Sequence, residues 1–394
     1  MLKICLLGNM NNNNYVLLRY LIDLNFNVDL LLYEDEQDQF KPINDTYNSQ
    51  YFERIKKLEW GSFSSLNNSL KKKIYSDLIK YDFIIGNGLA PAYCEFSGIK
   101  LNVFNPYGAD LFYYTKYSLT YPNKILKLWK AVWYQKKGIK KVPIWYMKEE
   151  YPKYEKIWLK LKNKSSKRWY IPPPFVYEKQ YSEASYKEYK KNNALSKLID
   201  EKLDNVQLSI FLPTRHYFSL NIFDPNNKRT DILFRGLSIF NKKYPKKKIK
   251  LITTNYGKSF KKIYKLINSL DIKKSVVIVP TMPRKDLAII YEKVDIIAGN
   301  FGRHSNFING ITSEALFFAK PIMTHRVDDY YRGFFENIFD IINVNSPKQV
   351  YESITYYIDK KDELKRIGSK GKDWYLKNVI QKNSDHFKSF FNLY

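Results

Sequence analysis

Cysteine is nearly absent from this chain: 394 residues carry two, Cys5 and Cys94. Two thiols cannot build a disulfide framework, and their scarcity fits a reducing compartment. Histidine is as sparse. His216, His304, His325 and His386 are scattered, a spacing that does not suit Cys/His metal ligation. No apolar run approaches the ~18 residues of a spanning helix. Met1–Gly8 reads as a short apolar strand, not as a charged leader followed by a long apolar core. The expectation is a cytoplasmic protein, soluble or peripheral. Acidic residues are also short, at 39 against 66 Lys and Arg, for a net charge of +27. Such an excess suits an anionic partner: nucleic acid, a membrane surface or a phosphorylated substrate. Lys, Asn, Ile and Tyr are all abundant, however, and all use AT-rich codons. The distribution of charge therefore says more than its total.

What is present is a large apolar and aromatic content, 44% hydrophobic with 34 Tyr and 25 Phe. The length suggests two domains of ordinary size. Apolar strands alternate with helical spacing in the first half. LKICLLG (2–8), VDLLLY (28–33), DFIIGNG (82–88) and LNVFN (101–105) read as strands, and 15–24 as a helix on Leu17, Leu18, Leu21 and Leu24. The second half repeats the pattern. Strands are predicted at 208–213, 248–255, 275–280 and 295–300, with helices at 233–243 and 286–294. Such alternation predicts parallel sheets covered by helices. Ligands of these sheets bind beyond the carboxyl ends of the strands. The loop after the first strand lies there, with Gly8, Asn9 and the run Asn11–Asn14.

The most pointed motif is SNFINGITSEALFFAKP (305–321). Glu314 is expected in the first turn of a largely buried helix. A carboxylate there is costly unless something accepts it. The free N–H groups and positive dipole of a helix start do so in part, and they also receive phosphate. Gly310, Ile311, Thr312 and Ser313 would present those groups.

This stretch resembles the donor-site signature of retaining GT-B glycosyltransferases, the GT4-like group in particular. That signature is Glu, seven residues, Glu, then a small-residue helix ending in Gly-Lys-Pro. Glu314 matches the second Glu, and Lys320-Pro321 the ending. The first Glu position falls on Asn306, a departure, with Arg303 and His304 beside it. The resemblance implies that Glu314 bonds the nucleotide ribose, and it leaves open which residue serves the donor sugar. It further implies an α/β fold of two Rossmann-like domains facing a cleft, with a C-terminal helix crossing back to the first domain. The boundaries expected are 1–180 for the acceptor-binding domain, 181–205 for a polar connector, 206–372 for the nucleotide-sugar domain and 373–394 for the returning helix.

A sugar nucleotide carries two phosphates, so its site needs cations. Arg215 closes the first strand of the second half, after Thr214, and Lys228 follows 13 residues later with Arg229 as its competitor. Arg offers a fork of donors to phosphate and Lys a mobile point charge. In the family an Arg and a later Lys neutralise the departing diphosphate, so Arg215 and Lys228 take those catalytic roles by position. Pro280, after the strand 275–280, is placed among the donor contacts. NPYGADL (105–111) resembles a cleft-facing segment of the family, which gives Tyr107 and Gly108 to the acceptor. Asp110 has two readings there: it meets an acceptor hydroxyl, or it caps the following helix. Glu34, Asp35 and Glu36 superficially resemble the acidic metal site of GT-A enzymes and are read as a solvent loop. No metal and no cofactor is expected, the nucleotide-sugar being a substrate.

Residues 123–170 interleave Lys with Trp129, Trp133, Trp145, Trp158 and Trp169. That mixture suits the anionic cytoplasmic face of a membrane, where a lipid-linked acceptor is found. It equally suits single-stranded nucleic acid or an ordinary core with a solvated Lys face. The function expected is a retaining, metal-independent transferase moving a sugar from a nucleotide donor to a glycan or lipid-linked acceptor of the cell-surface polysaccharide or lipopolysaccharide type. A GT-B-fold sugar-nucleotide epimerase and a basic nucleic-acid-binding protein are the alternatives. Sugar, base, acceptor, linkage and oligomeric state are not legible.

Overall fold

The computed structural model describes residues 2–34, 36, 38–61, 66–112, 114–115, 122–146, 152–169, 171–219, 227–302, 308–331 and 335–392. The chain divides into two compact units, residues 1–177 with 378–394, and 178–377.

The first unit holds strands β1 (Lys3–Leu7), β2 (Asn27–Leu32), β3 (Ile55–Lys57), β4 (Phe83–Gly86), β5 (Val103–Phe104), β6 (Ile144–Tyr146) and β7 (Lys167–Trp169). They form one parallel sheet in the order β3-β2-β1-β4-β5-β6-β7. Its helices are α1 (Asn13–Asp23), α2 (Asn68–Leu78), α3 (Ala90–Ser97), α4 (Ala109–Phe112), α5 (Pro122–Lys141) and α6 (Pro152–Leu161). The central strands are covered on both faces, which is why β1 and β4 read as unbroken apolar runs. Leu6 pairs in register with Leu30 on one side and Ile85 on the other.

The second unit opens with α7 (Ala184–Asn192) and α8 (Ala194–Leu203). These helices occupy the stretch expected to be a polar connector, and they correct that reading. Each buries one large side chain, Tyr186 and Ile199 respectively. Strands β8 (Leu208–Leu212), β9 (Ile249–Thr254), β10 (Val276–Val279), β11 (Ile296–Ala298), β12 (Ile322–Thr324) and β13 (Ile342–Asn343) form a parallel sheet in the order β10-β9-β8-β11-β12-β13. Its helices are α9 (Asp231–Lys243), α10 (Phe260–Ser269), α11 (Arg284–Lys293), α12 (Gly310–Phe317), α13 (Pro347–Tyr357) and α14 (Lys361–Tyr375). α9 carries Asp231 in its first turn and Lys242 and Lys243 in its last, complementing its dipole.

The last helix, α15 (Lys382–Phe391), belongs to the first unit. Asn383 Nδ2 donates to Pro172 O (2.7 Å), and Phe391 packs edge-on against Phe83 of β4 and Phe26. Among the described residues no helix is long and apolar enough to cross a membrane.

Candidate functional site

Both sheets run 3-2-1-4 through their centres. The strand order therefore reverses beside β1 in the first unit and beside β8 in the second, and crevices open beyond the carboxyl ends at such reversals.

In the second unit, Thr214, two residues past β8, donates its hydroxyl to Gly299 O past β11 (2.9 Å). Phe301 N donates to Lys228 O (3.0 Å), and Lys228 N to Tyr217 O (2.7 Å). Gly302 lies so close that a β-carbon there would sit 2.0 Å from Asn227 O. The segments after β8, before α9 and after β11 are thus stitched into one rim. His216 braces it from beneath. Its ring nitrogens lie 3.1 Å from Thr230 Oγ1 and 3.0 Å from Thr253 Oγ1. Burial pushes the imidazole pKa down to about 4, so it is neutral at physiological pH.

Arg215 and Lys228 come together on this rim. Lys228 is half-buried, and burial lowers its pKa to about 8, with the Arg215 charge acting in the same direction. Arg215 is exposed. Neither has a carboxylate partner among the described residues, whereas the competitor Arg229 is tied to Asp231 (3.1 Å). Two like charges, one of them desolvated, stand without an anion among the described residues. Such a constellation is costly in an isolated protein, and a bound anion would relieve it.

α12 follows β11, so its N-terminus lies at the same edge of the sheet. Asn309 caps it, its carboxamide oxygen accepting from Thr312 N. Gly310 and Ile311 are half-buried, while Thr312 and Ser313 are buried. Glu314 stands one turn further in than the first turn expected for it, at the fifth helical position. Its carboxylate is not left to the helix dipole. Arg284 Nε donates to Oε1 (2.9 Å) and Tyr291 OH to Oε2 (2.7 Å). Burial and the adjacent carboxylate push the Tyr291 hydroxyl well above its ordinary pKa, so it remains a donor. Arg284 and Tyr291 were missed in the sequence. They lie seven residues apart on α11, two helical turns, and that spacing was the available signal. Pro280 sits exposed just past β10, two strands from β8. Arg303, His304 and Asn306 fall outside the described residues.

In the first unit, Gly8 has φ +80° and lies against Asn87 past β4, where a β-carbon would meet Asn87 Oδ1 at 2.5 Å. Asn9 is buried. Its carboxamide donates to Asn12 Oδ1 (2.8 Å) and accepts from Tyr15 N (2.9 Å), and its N–H donates to Glu36 Oε2 (3.2 Å). Asn11 takes the left-handed backbone that Asn tolerates. Glu34 accepts from Gly61 N (2.9 Å). Asp35 lies outside the described residues, among which no metal-ligating cluster occurs.

Asp110 is fully buried, and its carboxylate accepts from the N–H groups of Tyr107, Gly108 and Leu111 at 2.8–3.1 Å. Burial raises its pKa to about 6 against the pull of those bonds. Of the two readings of Asp110, these bonds are of the capping kind: its carboxylate is engaged by the backbone N–H groups of the 105–111 turn. Tyr107 OH accepts from Asn105 Nδ2 (2.8 Å).

These units match solved structures along their whole length. The chain has the GT-B fold. HepE of Anabaena, solved with UDP and glucose, superposes with a TM-score of 0.65 at 13% identity, covering 100% of both chains. Sucrose-phosphate synthase of Thermosynechococcus elongatus gives 0.61 at 11%, covering 100% of this chain and 99% of that one. UDP-GlcNAc 2-epimerase of Neisseria meningitidis, bound to UDP-GlcNAc, gives 0.55 at 13%, covering 100% of both. No family model and no curated protein matches the chain.

Proposed function

We propose that this GT-B protein is a retaining glycosyltransferase that moves a sugar from a nucleotide-sugar donor to a glycan or lipid-linked acceptor, of the cell-surface polysaccharide or lipopolysaccharide type, without a metal ion. The observation that carries the reading is the pair Arg215–Lys228, two cations without a carboxylate partner among the described residues, at the strand-order reversal of the second sheet. A diphosphate departing there gains negative charge as the glycosidic bond breaks, and preorganised cations act on that growing charge. The UDP-glucose complex of HepE favours a uridine diphosphate sugar. Glu314 of α12, held in place by Arg284 and Tyr291, is the carboxylate that the motif assigns to a ribose hydroxyl. In a retaining transfer the acceptor hydroxyl enters on the face the phosphate leaves, so position and charge suffice without a protein nucleophile.

The acceptor reading rests on α5. Trp129 and Trp133 are 45% and 43% exposed on one face of it, beside the exposed Lys130 and Lys137. Trp145 and Trp169 are buried instead. An exposed aromatic pair among lysines suits the anionic cytoplasmic leaflet. Vesicles of anionic lipid should co-sediment with the protein and release it as salt rises. Equal sedimentation of Trp129→Ala/Trp133→Ala removes the aromatic part of this reading.

An epimerase is the second reading, favoured by the UDP-GlcNAc 2-epimerase that shares the fold. A thermal-shift panel of UDP-, GDP-, ADP- and CMP-sugars, followed by product analysis, separates the two. Sugar released to water or to an acceptor supports transfer, and an epimerised nucleotide sugar supports the alternative. No response to any nucleotide sugar, with binding to single-stranded nucleic acid, would leave a basic nucleic-acid-binding protein.

A further inference from the structure

A cavity of about 460 Å³ lies in the second unit, lined by Tyr181, Glu292, Phe317, Phe318, Lys320 and Lys372. Its size falls within the ~300–1,000 Å³ of small-molecule sites. It forms where α11 and α12 end, just before β12 begins, so it opens at the edge of the sheet opposite to Arg215 and Lys228.

Three rings make its apolar wall. Tyr181, Phe317 and Phe318 pack mutually at 5.0 Å between centroids, tilted or edge-to-face. Phe318 is in turn stacked on Tyr291 at 5.5 Å and 7°, which holds the wall rigid.

Its charge is unbalanced. Lys320 is half-buried, and its ammonium donates to a backbone oxygen, Glu292 O (2.9 Å), rather than to a carboxylate. Lys372 lies 5.1 Å from the Phe317 ring and has no carboxylate partner among the described residues. The acids nearby are already engaged: Glu292 pairs with Lys190 (2.7 Å), and Asp295 with Lys361 (3.2 Å) and Ser209. Burial lowers the Lys320 pKa, so its charge is held at some cost. Two ammonium groups beside a rigid aromatic wall are complementary to an anion carried on a flat ring.

We propose that this cavity is a second ligand site, taking a small phosphate that bears an aromatic ring, such as a nucleoside monophosphate or a phenyl phosphate, with its ring on Tyr181 and Phe317 and its phosphate on Lys320 and Lys372. It is separate from the donor crevice and does not depend on the transferase reading.

Calorimetric titration of the full chain with UMP, AMP, phenyl phosphate, inorganic phosphate and uridine tests it. The ring-bearing phosphates should bind at least tenfold more tightly than phosphate or uridine alone. Lys372→Ala should weaken them roughly 10- to 150-fold, the loss of one charge-assisted hydrogen bond. Tyr181→Ala should weaken them too, and a melting curve of each variant checks its fold. Arg215→Ala and Lys228→Ala should leave this binding in place. Affinity that falls with the crevice variants and survives Lys372→Ala would put the ligand in the donor crevice and overturn the proposal. Absence of binding by every ring-bearing phosphate would overturn it as well.

Discussion

Replacing Lys228 by Met should make the protein more stable and less able to hold nucleotide. The Lys228 ammonium titrates at about 8 in the folded chain, against an ordinary 10.5. At about 1.4 kcal/mol per pH interval, keeping it charged at neutral pH costs about 3 kcal/mol. The neighbouring Arg215 is solvated and screened, so roughly 1–3 kcal/mol is the range to look for. The sign follows from proton binding. The unfolded chain keeps this proton up to 10.5 and the folded chain only to about 8, so the penalty is complete below pH 8 and fades between 8 and 10.5. Met has a similar length and no charge. Lys228→Met should therefore unfold later than wild type at pH 7, by several degrees for a unit of this size, and the gap should close by pH 10.5. UDP and pyrophosphate should stabilise wild type by supplying the missing anion and should have little effect on the variant. Thermal melts at pH 7 and 10.5, each with and without UDP, measure all of this. A variant that melts earlier than wild type at pH 7, yet keeps its full response to UDP, would refute the reasoning.

Three further outcomes are expected. Glu314→Gln should weaken nucleotide binding roughly 10- to 150-fold by calorimetry and, because Arg284 loses its carboxylate, should also lower stability by about 1.5–3 kcal/mol in urea melts; unchanged affinity would remove the ribose role and leave the ion pair. Asp110→Asn should be more stable than wild type at pH 7.5, by roughly 1–3 kcal/mol, since the neutral amide avoids the burial cost of the charge while its oxygen still accepts from the turn. The Asp110 pKa is raised from 3.8 to about 6, so its stabilising contribution is present below 3.8 and lost as pH rises through 6; Asp110→Asn should flatten that window, and an undiminished slope would exclude Asp110 as its source. Turnover should survive EDTA if Arg215 and Lys228 do a metal's work at the diphosphate, as proposed; complete loss restored by Mn²⁺ or Mg²⁺ would reverse that assignment.

Much of this architecture was legible because buried parallel strands are apolar on both faces. KICLL and LSIFL cannot be read otherwise. Short outer strands left no such mark: IKK of β3 and KRW of β7 carry one apolar residue each, and IWY of β6 is apolar but only three residues long. α7 and α8 were hidden for a related reason, each burying so little that its charged face dominates the composition. At the site, position in the sequence favoured Lys228, with Arg229 as its competitor. Asp231, two residues on, pairs with the arginine, and the lysine has no carboxylate partner among the described residues. The partners of Glu314 could not be paired with it from one sequence, since the contact joins two helices through tertiary packing.

The unit that begins the chain is also the last to be completed. Its residues 1–177 leave the ribosome first, yet α15 arrives only after the whole second unit has been made. Until then Phe83 and Phe26 lack Phe391, Trp169 lacks Phe387 and Phe390, and Pro172 O lacks the Asn383 amide. Nascent chains of multidomain proteins generally fold their N-terminal part first. Here that part waits, with an aromatic seam uncovered, while the second unit forms its own core. Chains ending at residue 377 should therefore show a protease-resistant second unit and a labile first one. Equal resistance of both would mean that the seam closes without its last helix.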